Sequence, residues 1–309
     1  MTGQRDRDGG AHMLRIAAQI GVKDEVDLIG SCIAHLRGIG VGRIYVQDMG
    51  SSDGTEAWLT ENAGPDLVVI RSEVTWTDAD LAAAVHEGIA RSHRDWEADW
   101  LIMIDADEFV LPATGRIAPA LQRVTAPLAM IPRYNVALGP GGLTMPLPPV
   151  PADYRDILVY AQAEKWYRKK LEADPALAWL RFVPLPKAAV RPGALGGLVH
   201  GMHDALGPDG QPLERVTAEG ALIAHVPLSD YARFARKVDN IAETFRQYGA
   251  DEPDRFAWHW KRWVASAEAG TLKAEYAASC LDERQIAALR EEGVLRSVAE
   301  LLDGQGDGA

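Results

Sequence analysis

The stretch Trp100-Leu101-Ile102-Met103-Ile104-Asp105-Ala106-Asp107-Glu108-Phe109 starts apolar and then turns into three carboxylates. An apolar run of that length fits a buried strand. Carboxylates at its end cannot stay buried and unpaired, because desolvating a charge is very costly. The cheapest resolution is a divalent cation. Mg2+ or Mn2+ takes carboxylate oxygens and is commonly shared with substrate phosphates. Open α/β sheets bind ligands outside the carboxyl ends of their strands, where this cluster falls. The expected chemistry is that of a metal-bound, phosphorylated substrate; a solvated acidic turn is the alternative. Asp48 directly follows a second strand-like segment, Arg43–Gln47, and leads into the polar turn Gly50-Ser51-Ser52-Asp53-Gly54-Thr55. Either Asp48 or Asp53 could accept the N–H of a uracil or guanine edge. Asp53 reads better as a helix cap, and Asp48, with no helix to cap, as a ligand.

The elements that must position these groups alternate between strand and helix periodicity. Leu14–Ile20, Arg43–Gln47, Leu67–Arg71 and Trp100–Ile104 read as strands. Asp24 to Arg37 carries Val26, Ile29, Ile33 and Leu36 at helical spacing, closed by Gly38. A short helix through Leu59 and another opened by Asp78 complete the alternation. This pattern predicts an α/β fold with a mostly parallel central sheet flanked by helices. Leu128–Tyr134 is a further strand, 138–152 a proline- and glycine-rich loop, 160–170 a helix and Ala221–Pro227 a strand. Ser229 or Asp230 caps a helix with Phe234, Val238, Ile241 and Phe245 at core spacing. The last sixty residues read as helical, with Trp258, Trp260 and Trp263 suited to core or homodimer packing.

Composition narrows the function. The chain has 309 residues and a net charge of -12, which argues against nucleic acid as a partner. Cys32 and Cys280 are the only cysteines, so no disulfide framework or Cys-based zinc site is expected, and a cytoplasmic location fits. No apolar run reaches the length of a membrane span, and residues 1–13 lack a signal-peptide core. Gly38-Ile39-Gly40-Val41-Gly42 precedes a strand, the reverse of a dinucleotide fingerprint, and neither a Walker A sequence nor a nucleophile elbow is present.

Taken together, Val22-Lys23-Asp24-Glu25, Gly40 to Tyr45, Gln47 to Thr55 and Ala98 to Phe109 resemble the family 2-like glycosyltransferases of the GT-A fold, in the branch with a D-A-D-E-F block. The likeness covers roughly residues 14–135. It continues more weakly through Lys187 to Arg191, His200-Gly201-Met202-His203, and His225 with Ser229 and Lys237. Segment 136–185 matches nothing recognisable. The resemblance implies a nucleotide-sugar donor, most readily a UDP-sugar, lying across the strand ends. Val22 and Asp48 would then contact the nucleotide, Asp48 reading the base. Asp105 would sit near ribose and metal, and Asp107 would ligate Mn2+ or Mg2+ directly. The cation would stabilise the charge on the departing nucleotide.

Glu108 is expected to support the metal site, orient the acceptor, or pair with a nearby arginine. A histidine suits a third ligand, and His203 is chosen over His200; His225 reads as core or diphosphate-facing. Lys187 and Arg191 are candidates to neutralise the diphosphate. An inverting transfer needs a carboxylate base, for which Asp204 is first choice, followed by Asp230 and Glu164. The expected organisation is a disordered leader (1–13), a GT-A-like catalytic domain (14–228), a helical C-terminal region (229–302) and a disordered tail (303–309). The acceptor is open among a glycan, a lipid carrier and a small metabolite. The rival readings are a non-catalytic nucleotide-sugar-binding protein and a sugar-1-phosphate nucleotidyltransferase. The latter would need a glycine-rich loop that Ile20-Gly21-Val22-Lys23-Asp24 lacks.

Overall fold

The computed structural model describes residues 13–71, 89, 91–162, 169–170, 173–174, 177–182, 184–198, 203–248 and 254–305. The helix expected from Asp78, His200, Glu164, nearly all of the leader and most of the 303–309 tail lie outside these residues.

In chain order the main strands are β1 (Ile16–Val22), β2 (Arg43–Asp48), β3 (Leu67–Arg71), β4 (Trp100–Asp105), β5 (Glu108–Pro112), β6 (Leu128–Ile131), β7 (Arg133–Asn135), β8 (Lys187–Val190), β9 (Arg215–Thr217) and β10 (Ala221–His225). The helices are α1 (Val26–Ile39), α2 (Thr55–Asn62), α3 (Ala118–Gln122), α4 (Tyr231–Tyr248), α5 (Asp254–Glu268), α6 (Leu272–Ala277), α7 (Glu283–Glu291) and α8 (Val298–Asp303). Seven strands form the central sheet in the order β9-β6-β8-β4-β1-β2-β3. β4, β1, β2 and β3 are mutually parallel, while β8 runs antiparallel to β4 and β6. β1 and β4 are almost wholly buried, as expected of strands covered on both faces. α1 packs Ile29, Cys32, Ile33 and Leu36 into the core and stops at Gly40, whose φ of 97° is the left-handed cap glycine tolerates.

Two departures from expectation shape the site. First, Leu128–Tyr134 is two strands in two sheets, broken at Pro132. Second, Glu108–Pro112 is itself a strand, leaving the central sheet straight after Asp105 to join a small sheet in the order β5-β10-β7. There His225 lies opposite both Glu108 of β5 and Asn135 of β7.

A second core joins the C-terminal region to the preceding segment, with Phe234, Val238, Ile241 and Trp263 packed together with Trp179 and Tyr160. Trp263 is 1% exposed and Trp260 packs against this cluster, so both serve the core. The boundary expected at 228 is crossed repeatedly: α4 ion-pairs with Glu25 and Asp27 at the start of α1, and Leu295–Ser297 pairs with Leu158–Tyr160. Tyr160 therefore ends a strand where a helix was expected. No described helix is long and apolar enough to cross a membrane.

Candidate functional site

The carboxylates gather at the carboxyl edge of the parallel strands. Register sets Gly21 beside Asp105 and Val22 beside Asp48, so the end of β1 separates the two acids. Two strand spacings put β2 and β4 about 10 Å apart. Asp48 is buried, and its Oδ1 accepts from Ser51 N (3.1 Å) and Ser51 Oγ (2.6 Å). Asp53 accepts from Thr55 N (2.9 Å) and Val26 N (3.1 Å), the first amides of α2 and α1, although the N-cap positions themselves are Gly54 and Glu25. Asp24 adopts φ 55° and accepts from Ser52 N at 2.6 Å, tying the turn after β1 to the turn after β2. Val22 points its side chain into the core, and its carbonyl accepts from Met49 N, so its placement at this edge is structural.

Asp105 is the open member of the acidic block, its side chain 44% exposed, and Lys187 Nζ donates to its Oδ2 at 2.7 Å. Glu108 is fully buried. It pairs with Arg133, sits 3.5 Å from Lys187, and accepts from the Asp105 backbone N–H at 2.9 Å. The pairing with a nearby arginine is thus what the structure places there. Sealed from solvent, Glu108 positions Asp105 and cannot touch an acceptor. Burial lowers the Lys187 pKa, but Asp105 and Glu108 outweigh it and keep the ammonium charged.

Asp107 is surrounded by other groups. Its Oδ2 accepts from Lys237 (2.8 Å) and Arg233 (3.1 Å), both on α4. Burial pushes the carboxyl pKa up, yet the cations around it win and hold it well below the usual carboxylate range. Arg233, 1% exposed, also clamps Glu25 through Nε (2.8 Å) and Nη2 (2.9 Å) and donates to the carbonyls of Val226 and Pro227.

The other oxygen, Asp107 Oδ1, faces His225 Nε2 at 3.7 Å. The state of that nitrogen follows from its neighbours. Asn135 Nδ2 donates to the carbonyls of Leu180 (3.0 Å) and Phe182 (2.7 Å), which turns Asn135 Oδ1 toward His225 Nδ1 at 2.7 Å. An amide oxygen only accepts, so Nδ1 carries the hydrogen. Burial, aided by Arg133, Lys237 and Lys187, outweighs Asp107 and holds the imidazole pKa well below its ordinary value, so Nε2 is bare. A lone pair therefore faces a carboxylate oxygen, an arrangement that a cation between them relieves. Metal-binding histidines are characteristically fixed in this way, through a hydrogen bond from the other ring nitrogen.

The donor set fits a hard or borderline divalent cation whose shell is completed by water and phosphate, since Mg2+-type sites use one or two protein carboxylates. Among the described residues no three His, Cys, Asp or Glu side chains gather as a metal-holding group.

Three expected residues are not brought to Asp107. His203 donates from Nδ1 to the Pro186 carbonyl at 2.8 Å, and burial, aided by Lys187 and Arg133, pushes its pKa down to about 4; Asp105, not Asp107, is the carboxylate that acts on it. The β5-β10 register delivers His225 to Asp107 instead. Asp204 Oδ2 is held by Arg215 at 2.6 Å, and Arg215 lies at the Leu128 register, toward the end of the sheet where Val190 meets Leu101. Arg191 stacks 4.3 Å over Trp100 and donates to the Val124 carbonyl. Because β8 runs antiparallel to β4, Lys187 falls at the Asp105 end and Arg191 at the Trp100 end.

The sequence reading missed Arg133, Asn135 and Arg233. Arg233 leaves a faint signal: with Arg236, Lys237 and Asn240 it forms a polar stripe at i, i+3, i+4 and i+7.

No family model matches the chain, and no curated protein matches it. Among solved structures it is similar to a mannosyltransferase from Pyrobaculum calidifontis in complex with GDP-Man and Mn2+, at 16% identity over 96% of this chain and 80% of that one, TM-score 0.39. It is also similar to glucosyl-3-phosphoglycerate synthase from Mycobacterium tuberculosis in complex with Mn2+, uridine diphosphate and glucosyl-3-phosphoglycerate, at 15% identity over 84% of this chain and 80% of that one, TM-score 0.37.

Proposed function

We propose that this chain is a metal-dependent glycosyltransferase of the GT-A type, moving a sugar from a nucleoside-diphosphate sugar to a hydroxyl acceptor with inversion. The observation that carries the reading is His225 Nε2 facing Asp107 Oδ1 at 3.7 Å, at the ligand edge of a parallel sheet. Asp107 and His225 are the residues that would hold Mn2+ or Mg2+. Such a cation, when bound, supplies Lewis-acid stabilisation of the charge on the departing diphosphate.

This chain's own residues do the remaining work. Asn135 fixes the His225 tautomer. Lys187 and Glu108 hold Asp105 at the mouth, on the side where a ribose would lie. Asp48 suits the base-reading role, because Ser51 occupies its Oδ1 and Oδ2 makes no hydrogen bond among the described residues. Of the carboxylates weighed for the base, we assign Asp230. It is exposed at the head of the helix that reaches Asp107, with Oδ1 accepting from Arg233 N at 2.9 Å. A UDP-sugar is the donor class we favour.

A thermal-shift screen of UDP-, GDP- and dTDP-sugars with and without Mn2+ tests the reading. Saturation at a hundred times Kd stabilises by about 2.7 kcal/mol. One nucleotide class should shift the transition only when Mn2+ is present, and Asp107→Ala should remove that shift while remaining folded. A chain that answers to no nucleotide sugar would sink the proposal.

A further inference from the structure

Around Asp107 and Asp105, acidic and basic side chains are paired. Glu25, Asp105, Asp107 and Glu108 face Arg133, Lys187, Arg233 and Lys237. The cations differ in what they have left to give. Arg233 is 1% exposed and spends its donors on Glu25, Asp107 and two carbonyls. Arg133 and Lys187 have side chains 10% and 3% exposed, closed around Glu108 and Asp105. Lys237 alone among them opens to solvent, at 27%, and an ammonium has three N–H donors, of which Asp107 takes one. It stands on the Oδ2 side of Asp107, while the histidine stands on the Oδ1 side.

We propose that Lys237 is a catalytic residue that receives the leaving nucleoside diphosphate; this rests on the transferase reading above. In the transfer, the bond between the anomeric carbon and the β-phosphate oxygen breaks, and its electron pair stays on that oxygen. The acceptor oxygen bonds to the anomeric carbon, and its proton passes to the base. The released nucleoside diphosphate carries one more negative charge than the intact donor. A partly exposed ammonium beside Asp107 meets that added charge directly, and Asp107 Oδ2 keeps it aimed. Lysine suits the position, because its charge is compact and its donors rotate freely. An interaction made only as charge develops acts on turnover more than on donor binding.

The test compares wild type, Lys237→Met and Lys237→Arg, titrated in Mn2+ with UDP and UDP-glucose and with GDP and GDP-mannose. The methionine variant should lose about tenfold in affinity for the free diphosphate and no more than about threefold for the sugar conjugate, as expected when one charge-assisted contact goes. Its kcat for hydrolysis of the nucleotide sugar that binds, with water as the acceptor, should fall by at least about tenfold with KM within about threefold. The arginine variant should recover most of both losses. Unchanged diphosphate affinity in Lys237→Met overturns the assignment. So does an equal loss for diphosphate and conjugate that arginine does not repair, which marks a purely structural partner of Asp107. A wild type that binds none of the four ligands removes the transferase reading, and this inference with it.

Discussion

Arg233→Met is the sharpest perturbation the structure offers. The guanidinium is 1% exposed and holds Glu25 at 2.8 and 2.9 Å. Methionine keeps much of the volume and removes every donor. Asp107 retains Lys237, so the group left stranded is Glu25, whose carboxylate is 14% exposed. Removing one partner of a buried pair costs about 3–5 kcal/mol. The structure sets a ceiling, because Glu25 can escape by taking a proton. Its ordinary pKa is 4.5, and burial already pushes it up against the pull of Arg233 and Lys237. Holding a glutamate neutral costs about 1.4 kcal/mol for each pH step above that value, or about 3.4 kcal/mol at pH 7 and about 0.7 at pH 5. The sign is fixed: a raised folded pKa means the penalty grows as pH rises. Urea unfolding followed by circular dichroism at both pH values reads this directly. Wild-type Glu25, already raised, bears part of that cost, so the expected loss at pH 7 is about 1–3 kcal/mol, a large share of a typical stability of about 5–15. At pH 5 most of it should vanish, and Glu25→Gln in the same chain should restore about half of the pH 7 loss. A loss below about 1 kcal/mol, or one equal at both pH values, refutes the reasoning.

Other outcomes follow from the same geometry. Asn135→Leu releases the His225 tautomer and should weaken Mn2+ binding by about 10- to 100-fold by isothermal titration, with the fold retained; unchanged affinity would detach Asn135 from the metal. Asp204→Asn should keep kcat/KM within about twofold, since Arg215 holds that carboxylate; a loss beyond about tenfold would return the base to Asp204. His259 stacks on Trp179 at 4.9 Å, and burial pushes its pKa down to about 3 from 6.5. Its depressed folded pKa gives stability that is full above 6.5 and lost as pH falls toward 3, about 2 kcal/mol by pH 5. Wild type should therefore lose that much more than His259→Phe between pH 7.5 and 5 in urea titrations, and parallel curves would contradict the assignment.

The acidic block was legible because Asp105, Asp107 and Glu108 directly follow an apolar strand, a local pattern. The parallel strands were legible for the same reason. What escaped notice depends on distant registers. Phe109-Val110-Leu111 follows the acidic block with no turn residue to announce a new strand, so β5 was missed, and with it the pairing that sets His225 beside the acidic block. Lys187 and Arg191 look equivalent in sequence. Only an antiparallel β8 sends them to opposite ends of the sheet. Asn135 carries no local signal at all. Arg233 and Lys237 look like the solvated face of an amphipathic helix until the acids that they meet are known.

The polar stripe of α4 has a consequence for how the protein comes to be made. Arg233 meets Glu25, Arg236 meets Asp27 and Asn240 meets Asp24 across 208, 209 and 216 residues of chain. Asp107 waits 130 residues for Lys237. During synthesis the parallel strands can pair long before α4 leaves the ribosome, so the acids of the first third emerge without their counter-ions. Contacts this far apart in sequence form late and slowly, because the loop entropy must be overcome before they stabilise anything. Docking of α4 against the sheet edge is therefore what gives Glu25 and Asp107 their counter-ions.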